Sequence, residues 1–399
     1  MKVVPLTPEG LRVGRLMPFS VRDEGGKVLV ARGSSIENDK QLQYLLGRPL
    51  FVDVIESETI QKAYAGQLDQ MFRQDSRLGA IASATPDYKA IPLVPRAATE
   101  RPADWPDLQM KLRLLLADPK GADWVARLRA VRDDILAAVA RNPDRALMRL
   151  MFDATNDFQD YSANHALFTA VLCTLAAPQL PGWQPAWNDP LTLAALTMNV
   201  SIASLQDEMA RQPMRPTVAQ RTVLQGHGER SADVLRKLGV DDAIWLHAVA
   251  QHHDAPPGTI AGLTPGELLA RLIRRADRYA ARLSPRKSRA ASTATAAAQT
   301  AFFDEGGHHD EAGQALVKTL GLYPPGVWVK LQCGELALVL KRGLQPKSPV
   351  VASLVGKTGL PMAVPALRNT RLSNFEVIGA VAPGQVKVRP SLEALEKLA

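Results

Sequence analysis

The chain has 399 residues, of which 46% are hydrophobic and 5% aromatic, so it holds enough apolar material for two or three domains. The 48 Lys and Arg exceed the 40 Asp and Glu, and the net charge of +8 suits anionic partners without choosing among nucleotides, nucleic acid and acidic proteins. The two cysteines, Cys173 and Cys333, exclude a disulfide framework and a paired-cysteine metal motif. Without a signal peptide or a membrane-spanning apolar run, the expected location is cytoplasmic.

The first part of the chain, residues 1–58, is predicted to be a small β-rich module. Apolar and β-branched residues predict strands at Val13–Val21, Lys27–Ala31 and Phe51–Val54. Leucines at helical spacing predict a helix over Asn38–Leu46. We expect a structural or docking role for this module.

A helical segment and a linker are predicted at residues 59–120. The pattern over Gln61–Arg77 is amphipathic, and Leu108–Leu116 has leucines at helical spacing. Between them, Thr85–Pro106 contains recurrent prolines that interrupt any helix. This proline-rich stretch is therefore predicted to be the linker.

The remainder is predicted to form a helical domain, residues 121–325, and a small β-rich appendage, residues 326–399. Val327–Leu331 and Glu335–Leu340 alternate like the two strands of a hairpin. Strands are also predicted at Arg371–Ser373 and Val386–Arg389. A short terminal helix is predicted from Ser391. The predicted fold class is mainly α, a helical bundle flanked by small β-rich parts at both ends.

Five side chains of the helical domain form the candidate site. They are four histidines and one aspartate on separate predicted helices: His165, His227, His252, His253 and Asp277. Taken singly, each is typical of a helix end or of a buried polar position. Taken together, imidazoles and a carboxylate are suitable ligands for one hard or borderline metal ion. A shared site requires tertiary packing, because the five residues are far apart in the chain.

The order of these residues resembles that of the HD-GYP branch of the HD-domain phosphohydrolases, over about residues 145–345. A histidine in an apolar helix, a histidine that opens a helix, a histidine pair and an aspartate follow one another as in that family. The closing Tyr-Pro-x-Gly element and its hairpin are matched by Tyr323–Glu335. The resemblance implies an HD-domain bundle, a cyclic di-GMP phosphodiesterase site, and a ligand-binding role for Arg286 and Arg289 towards phosphate.

The central His-Asp-x-Gly-Lys element of that family is altered in this chain. Met198, Asn199 and Ile202 stand where the family has the histidine, the bridging aspartate and the lysine. A thioether is a poor ligand for Mn, Mg or Fe(II), and a neutral amide is a poor bridge between two mutually repelling ions. The Gly-Tyr-Pro loop is also missing after His253, where the chain continues as Asp254–Thr259. These departures predict a vestigial or single-ion site.

Three functions are compatible with this pattern. The leading interpretation is a bacterial signalling pseudoenzyme without a resident cofactor, which binds cyclic di-GMP, a related nucleotide or a signalling protein. The alternative is an active cyclic di-GMP phosphodiesterase that uses one Mn, Fe or Mg ion on the five remaining ligands. Nucleic-acid binding ranks last, because aromatic stacking platforms and recognised motifs are missing from the sequence. No membrane partner is expected.

Further basic and histidine residues remain outside this constellation. A row of arginines at helical spacing is predicted to be either a phosphate-receiving stripe or a solvated face: Arg271, Arg274, Arg275, Arg278 and Arg282. His308–Asp310 is a weaker metal candidate and is expected to open a helix. His247 is expected to be a packed or surface residue.

Overall fold

The computed structural model describes residues 3–74, 79, 84, 105–156, 158–255, 259–304, 306–388 and 390–398. They divide into two compact units, Met1–Leu114 and Leu115–Ala399. The predicted linker lies outside the described residues, except for its last two positions. Among the described residues, no helix combines the length and the apolar character needed to cross a membrane. The finer domain boundaries within these units stay a prediction.

The first unit contains four short strands, β1 (Val3–Pro5), β2 (Val21–Arg22), β3 (Val28–Val30) and β4 (Phe51–Asp53). They form an antiparallel sheet in the order β1-β4-β2-β3. The helices whose first residues belong to this unit are α1 (Asp39–Leu46), α2 (Val54–Arg73) and α3 (Trp105–Ala117). The start of α1 is set by Asn38, whose Oδ1 accepts the backbone N–H of Gln41 at 3.0 Å.

The long strand predicted over Val13–Val21 is wrong. Its last residue belongs to β2, whereas Val13 and Leu16 form isolated bridges to other parts of the unit. Pro18 interrupts this stretch, and a proline has no N–H to donate to a strand ladder. The strands predicted near Val28 and Phe51 are confirmed.

The second unit is predominantly helical. Its helices are α4 (Trp124–Arg141), α5 (Pro143–Asn156), α6 (Tyr161–Ala176), α7 (Asn188–Thr197), α8 (Ala203–Arg211), α9 (Val218–Leu224), α10 (His227–Lys237), α11 (Ala243–Gln251), α12 (Pro265–Leu283), α13 (Ala294–Phe302) and α14 (Glu311–Leu320). Nearly every residue of α6 is buried, because α5, α7, α8, α12 and α14 all pack against it. A helix that is apolar on all sides is expected at the centre of a bundle.

Side-chain caps determine where several of these helices begin. Thr264 and Glu267 form a reciprocal capping box at the start of α12, and Pro265 occupies its first position. Asp242 caps α11 by accepting two backbone N–H groups, at 2.9 and 3.0 Å. Asp310 caps α14 through the N–H of Gly313 at 2.9 Å, which confirms the helix start predicted there.

The end of the second unit is an antiparallel sheet of five strands, β5 (Trp328–Leu331), β6 (Leu336–Lys341), β7 (Val350–Val355), β8 (Pro361–Asn369) and β9 (Val377–Val381). Their order is β8-β7-β6-β5-β9, and the predicted hairpin is the β5–β6 pair. A short helix, α15 (Leu392–Glu396), follows the sheet. The predicted fold class, mainly α with two small β-rich parts, is confirmed.

Two strand predictions within this appendage are wrong. The stretch Arg371–Ser373 is a turn, because the N–H of Arg371 bonds to Oδ1 of Asn369 at 3.1 Å and ends β8 there. Residues 386–388 form no strand, and they directly follow a single helical turn, Pro383–Gln385. Arg389, the last residue of this prediction, lies outside the described residues. The strands missed in the sequence are β7, β8 and β9.

Candidate metal centre

Two helix ends meet at the candidate site. His227 is the first residue of α10, and the preceding Gly226 has φ = 65°, a left-handed conformation that glycine adopts without strain. His252 and His253 follow directly after the last residue of α11. The start of α10 and the end of α11 lie close together, so the three imidazole rings share one small region.

The close approach of α10 and α11 depends on Gly228. A Cβ atom on this residue would stand 3.0 Å from the backbone oxygen of Val249 and even closer to that of Ala250. A side chain at this position would therefore separate the two helices. The glycine allows the start of α10 to lie directly against the last turn of α11.

The three histidines form a compact nitrogen cluster. One ring nitrogen from each of His227, His252 and His253 lies within 4.8 Å of the others. The Nε2 atoms of His227 and His252 are 3.2 Å apart. His227 and His252 are buried, whereas His253 is exposed, so the cluster faces solvent on one side. This three-histidine cluster is the strongest metal-binding arrangement among the described residues.

Backbone hydrogen bonds orient the two buried rings. Nδ1 of His227 lies 2.7 Å from the carbonyl oxygen of Leu224, and Nδ1 of His252 lies 2.7 Å from that of Val249. A carbonyl oxygen accepts, so each Nδ1 carries the proton and each Nε2 presents a bare lone pair. Two lone pairs at 3.2 Å repel unless a cation lies between them.

A metal ion fits this geometry. Two nitrogens that each lie about 2.0–2.1 Å from one tetrahedral ion are about 3.3 Å apart, close to the observed Nε2 separation. Burial lowers the pKa of His252 to about 3, and the adjacent His253 acts in the same direction. Burial also lowers the pKa of His227. Both rings are therefore neutral at pH 7, the state that coordinates a metal.

His165 and Asp277 form a separate pair behind the cluster. His165 is on α6 and Asp277 on α12, and Nε2 of the histidine is 2.7 Å from Oδ1 of the carboxylate. Nδ1 of His165 is buried without a hydrogen-bond partner among the described residues. Burial alone would raise the pKa of Asp277, but the hydrogen bond with His165 holds it well below its ordinary value. The two side chains satisfy each other directly.

Tyr161 connects this pair to Arg286. Its ring stacks on that of His165, with a centroid distance of 5.5 Å and an interplanar angle of 10°. Its hydroxyl accepts a hydrogen bond from Nη2 of Arg286 at 3.0 Å. Arg289 is placed differently, because its guanidinium donates to the carbonyl oxygens of Ala281 and Ser284 at the end of α12. Of the two predicted phosphate-binding arginines, Arg286 is thus the one joined to the site.

The turn that contains Met198 and Asn199 lies against the histidine helices. Oγ1 of Thr197, one residue before Met198, accepts the indole N–H of Trp245 on α11 at 2.9 Å. On the other side of the turn, Oγ of Ser201 donates to the carbonyl oxygen of His227 at 3.1 Å. Met198 and Ile202 are buried, and Asn199 between them is partly exposed. The turn is therefore held at both ends beside the three-histidine cluster.

Sequence reasoning missed four residues that shape this site: Tyr161, Thr197, Gly228 and Trp245. Thr197 and Gly228 are adjacent to recognised positions, Tyr161 precedes His165 by four residues, and Trp245 lies on the helix that ends just before His252. That proximity is the signal available in the sequence. Their roles depend on contacts between helices, which the chain order does not reveal.

The arginine row on α12 is not a single basic face. Arg271 and Arg275 are buried, and their Nε atoms lie 2.7 and 3.0 Å from Oδ2 of Asp310. The prediction of a uniform phosphate stripe or solvated face is wrong, because burying a guanidinium requires a carboxylate partner, and Asp310 supplies it. His308 is exposed and lies outside the cluster, as does the exposed His247.

No family model matches the chain. A curated relative is the cyclic di-GMP phosphodiesterase PA4108 of Pseudomonas aeruginosa, 28% identical over 261 residues. The alignment covers 61% of this chain and 61% of that protein, so it spans less than two thirds of the relative. A solved structure, Bd1817, a HDG"Y"P protein from Bdellovibrio bacteriovorus, matches with a TM-score of 0.43 and 15% identity, over 80% of this chain and 99% of that one.

Proposed function

We propose that this chain, which is similar to a cyclic di-GMP phosphodiesterase, is a signalling protein that binds cyclic di-GMP at a single metal ion and does not hydrolyse it. His227, His252 and His253 hold the ion, and Arg286 receives a phosphate. The name of the relative, a cyclic di-GMP phosphodiesterase, supports the choice of this nucleotide. The retained cluster supports binding, and the altered element supports the loss of hydrolysis.

The observation that carries this proposal is the division of the five candidate ligands into two groups. Three histidines point their ring nitrogens at one another within 4.8 Å. His165 and Asp277 instead bond directly to each other at 2.7 Å. The first group has the composition of an ion site, whereas the second is closed by its own hydrogen bond. The ligand set therefore supports one ion rather than two.

Loss of hydrolysis follows from the residues beside the cluster. In two-metal hydrolysis a pair of ions about 3.5–4 Å apart activates the attacking water and stabilises the leaving oxygen. Asn199 offers a neutral oxygen where the resemblance implies a bridging carboxylate, so nothing offsets the repulsion between two ions. Met198 and Ile202 are buried as apolar groups and provide neither an imidazole nor a cation. Binding survives these replacements because it needs one ion and one phosphate contact.

A bound ion would act here as a Lewis acid that attracts a phosphate oxygen. The exposed position of His253 leaves that side of the cluster accessible to a ligand. Arg286 is held by Tyr161, and a guanidinium can bind a phosphate through two parallel hydrogen bonds. Arg289 contributes to the helix end instead, since its donors are engaged with backbone carbonyls.

The second candidate function is phosphodiester hydrolysis with one ion. The exposed side of the cluster favours it, because a catalytic site needs an open coordination position beside its three protein ligands. Nucleic-acid binding has less support, since two of the five arginines in the supposed stripe are buried against Asp310.

The test incubates the full chain with cyclic di-GMP after loading with Mn(II), Fe(II) or Zn(II), and measures both bound nucleotide and linear product. We expect binding without product, and loss of binding in His252→Ala. The matched control is His247→Ala, an exposed histidine on the same helix, which should bind normally. Linear product that disappears in His252→Ala would establish the one-ion phosphodiesterase instead. Absence of nucleotide binding by the metal-loaded protein would refute both.

A further inference from the structure

We infer that the three-histidine cluster is a nitrogen-only site for one borderline ion, and that it selects Zn(II) over Mn(II) and Mg(II). This inference deepens the proposed function, since it takes the same cluster as the ion site. It concerns the identity and number of the ions, not the nucleotide.

Among the described His, Cys, Asp and Glu side chains, the atoms gathered in the cluster are imidazole nitrogens. Within the described residues, the atoms gathered within 4.8 Å of one another come from His227, His252 and His253. Neutral imidazole suits Zn, Cu, Ni and Fe, whereas Mg and Mn prefer carboxylate, carbonyl and water oxygen. A site without a carboxylate therefore penalises Mn(II) and Mg(II) beyond the general order of divalent affinities.

The carboxylate of Asp277 is not part of the three-histidine cluster. Oδ1 of Asp277 is bonded to Nε2 of His165 at 2.7 Å, and the carboxylate does not belong to the compact group of ligand atoms. With this oxygen engaged by His165, Asp277 stands outside the set of atoms that would coordinate the ion.

The geometry of the cluster also suits a small coordination number. The Nε2 atoms of His227 and His252 are 3.2 Å apart, and both rings are fixed by Nδ1 contacts to backbone carbonyls at 2.7 Å. Such outer contacts hold ligand histidines in a defined tautomer and orientation. Two oriented nitrogens, the exposed His253 and one open position suit a tetrahedral ion, whereas Mg(II) requires a near-ideal octahedron.

The test uses chelator-treated full-length protein, dialysed against Zn(II), Co(II), Mn(II) or Mg(II), with metal analysis of the bound ion. We expect one Zn(II) per chain, a visible spectrum of tetrahedral Co(II), and Mn(II) binding at least about 100-fold weaker than Zn(II). His252→Ala should weaken Zn(II) binding by more than about 100-fold, since even outer contacts are worth 10–100-fold. His247→Ala should have no effect.

The engagement of Asp277 is tested with Asp277→Asn, with circular dichroism as the check on folding. A folded variant should still bind one Zn(II), within about tenfold of the unaltered affinity. Two ions per chain, an octahedral Co(II) spectrum, or equal affinities for Zn(II) and Mn(II) would overturn the inference. Loss of Zn(II) from folded Asp277→Asn would do the same.

The inference about the metal ion and the proposed function can each fail without the other. Zinc binding by a protein that ignores cyclic di-GMP would leave the inference standing and refute the proposed function. Binding of cyclic di-GMP by the protein in excess chelator would show that the nucleotide does not need the ion, whatever the cluster selects.

Discussion

The three-histidine cluster and the His165–Asp277 pair belong to the same candidate site, but they satisfy their polar atoms in different ways. In the cluster, Nε2 of His227 faces Nε2 of His252 at 3.2 Å, so two acceptors confront each other. In the pair, a ring nitrogen faces a carboxylate oxygen at 2.7 Å. A cation between the two nitrogens would relieve the repulsion in the first arrangement, whereas the Nε2–Oδ1 contact of the second already joins a donor to an acceptor.

This difference shows why a histidine–aspartate pair can do without an ion more easily than a cluster of histidines can. A histidine and an aspartate that lose their shared ion can bond to each other, because one donates and the other accepts. His227 and His252 have no such alternative, because each already donates its Nδ1 proton to a backbone carbonyl. The comparison leads to four predictions, from the largest expected effect to the smallest.

Introducing a His-Asp pair at positions 198 and 199 should allow both the three-histidine cluster and the His165–Asp277 pair to bind an ion. The double variant Met198→His with Asn199→Asp supplies an imidazole and a carboxylate beside both groups, so we expect two ions per chain and measurable hydrolysis of cyclic di-GMP. Metal analysis and chromatography of the linear product measure these outcomes. The control Met198→Leu with Asn199→Gln adds no ligand and should keep one ion. A restored variant that binds one ion and produces no linear product would contradict the proposed role of Asn199.

Separating the helices should break the cluster and spare the pair. Gly228→Ala places a methyl group against the backbone oxygens of Val249 and Ala250. We expect a loss of about 1–3 kcal/mol in the free energy of unfolding, as for other overpacked positions, together with weaker Zn(II) binding. Chemical denaturation and metal titration measure the two effects.

The matched control for this variant is Gly66→Ala, a helical glycine in α2 with no atom within 4 Å of the added Cβ. It should be neutral or slightly stabilising, by up to about 1 kcal/mol. Equal losses at both glycines would mean that the approach of α10 and α11 is not the cause.

Lowering the pH should destabilise the folded metal-free protein through the three-histidine cluster. The pKa of His252 is lowered from 6.5 to about 3 in the folded chain, so below pH 6.5 the unfolded chain binds a proton that the folded chain does not. Stability should therefore fall as the pH drops from 6.5 towards 3, by at most about 1.4 kcal/mol per pH unit from this residue. Denaturation of chelator-treated protein at several pH values measures the slope. A slope unchanged in His252→Asn would assign the effect to other groups.

Removing one hydroxyl should affect Arg286 and leave the ion untouched. Tyr161→Phe keeps the ring stacked on His165 but deletes the acceptor of the 3.0 Å hydrogen bond from Arg286. We expect cyclic di-GMP affinity to fall about fivefold, equivalent to about 1 kcal/mol for one lost hydrogen bond. Calorimetric titration measures the affinity, and metal analysis should still give one ion. A parallel loss of the ion would mean that Tyr161 acts on the cluster rather than on the arginine.

Much of the helical architecture could be predicted from residue patterns, because caps and apolar spacing are local signals. Asn38 at the start of α1 and Asp310 at the start of α14 are examples, since each accepts N–H groups within its own helix. The wrong predictions concern strands, where an apolar pattern that favours a strand competes with a proline that interrupts it. The stretch before Val21 looked like one strand, but Pro18 divides it, and β8 with its two prolines was missed for the same reason.

The sequence by itself determined the identities of the five candidate ligands and the presence of Met198 and Asn199 between them in the chain. It could not determine which ligands would share an ion, because His165 and Asp277 are 112 positions apart and their contact depends on the packing of α6 against α12. Tertiary structure alone decided that this pair is closed and that the three histidines face one another. The physical reason is that hydrogen-bond direction depends on distances between helices, and the order of residues along the chain does not contain those distances.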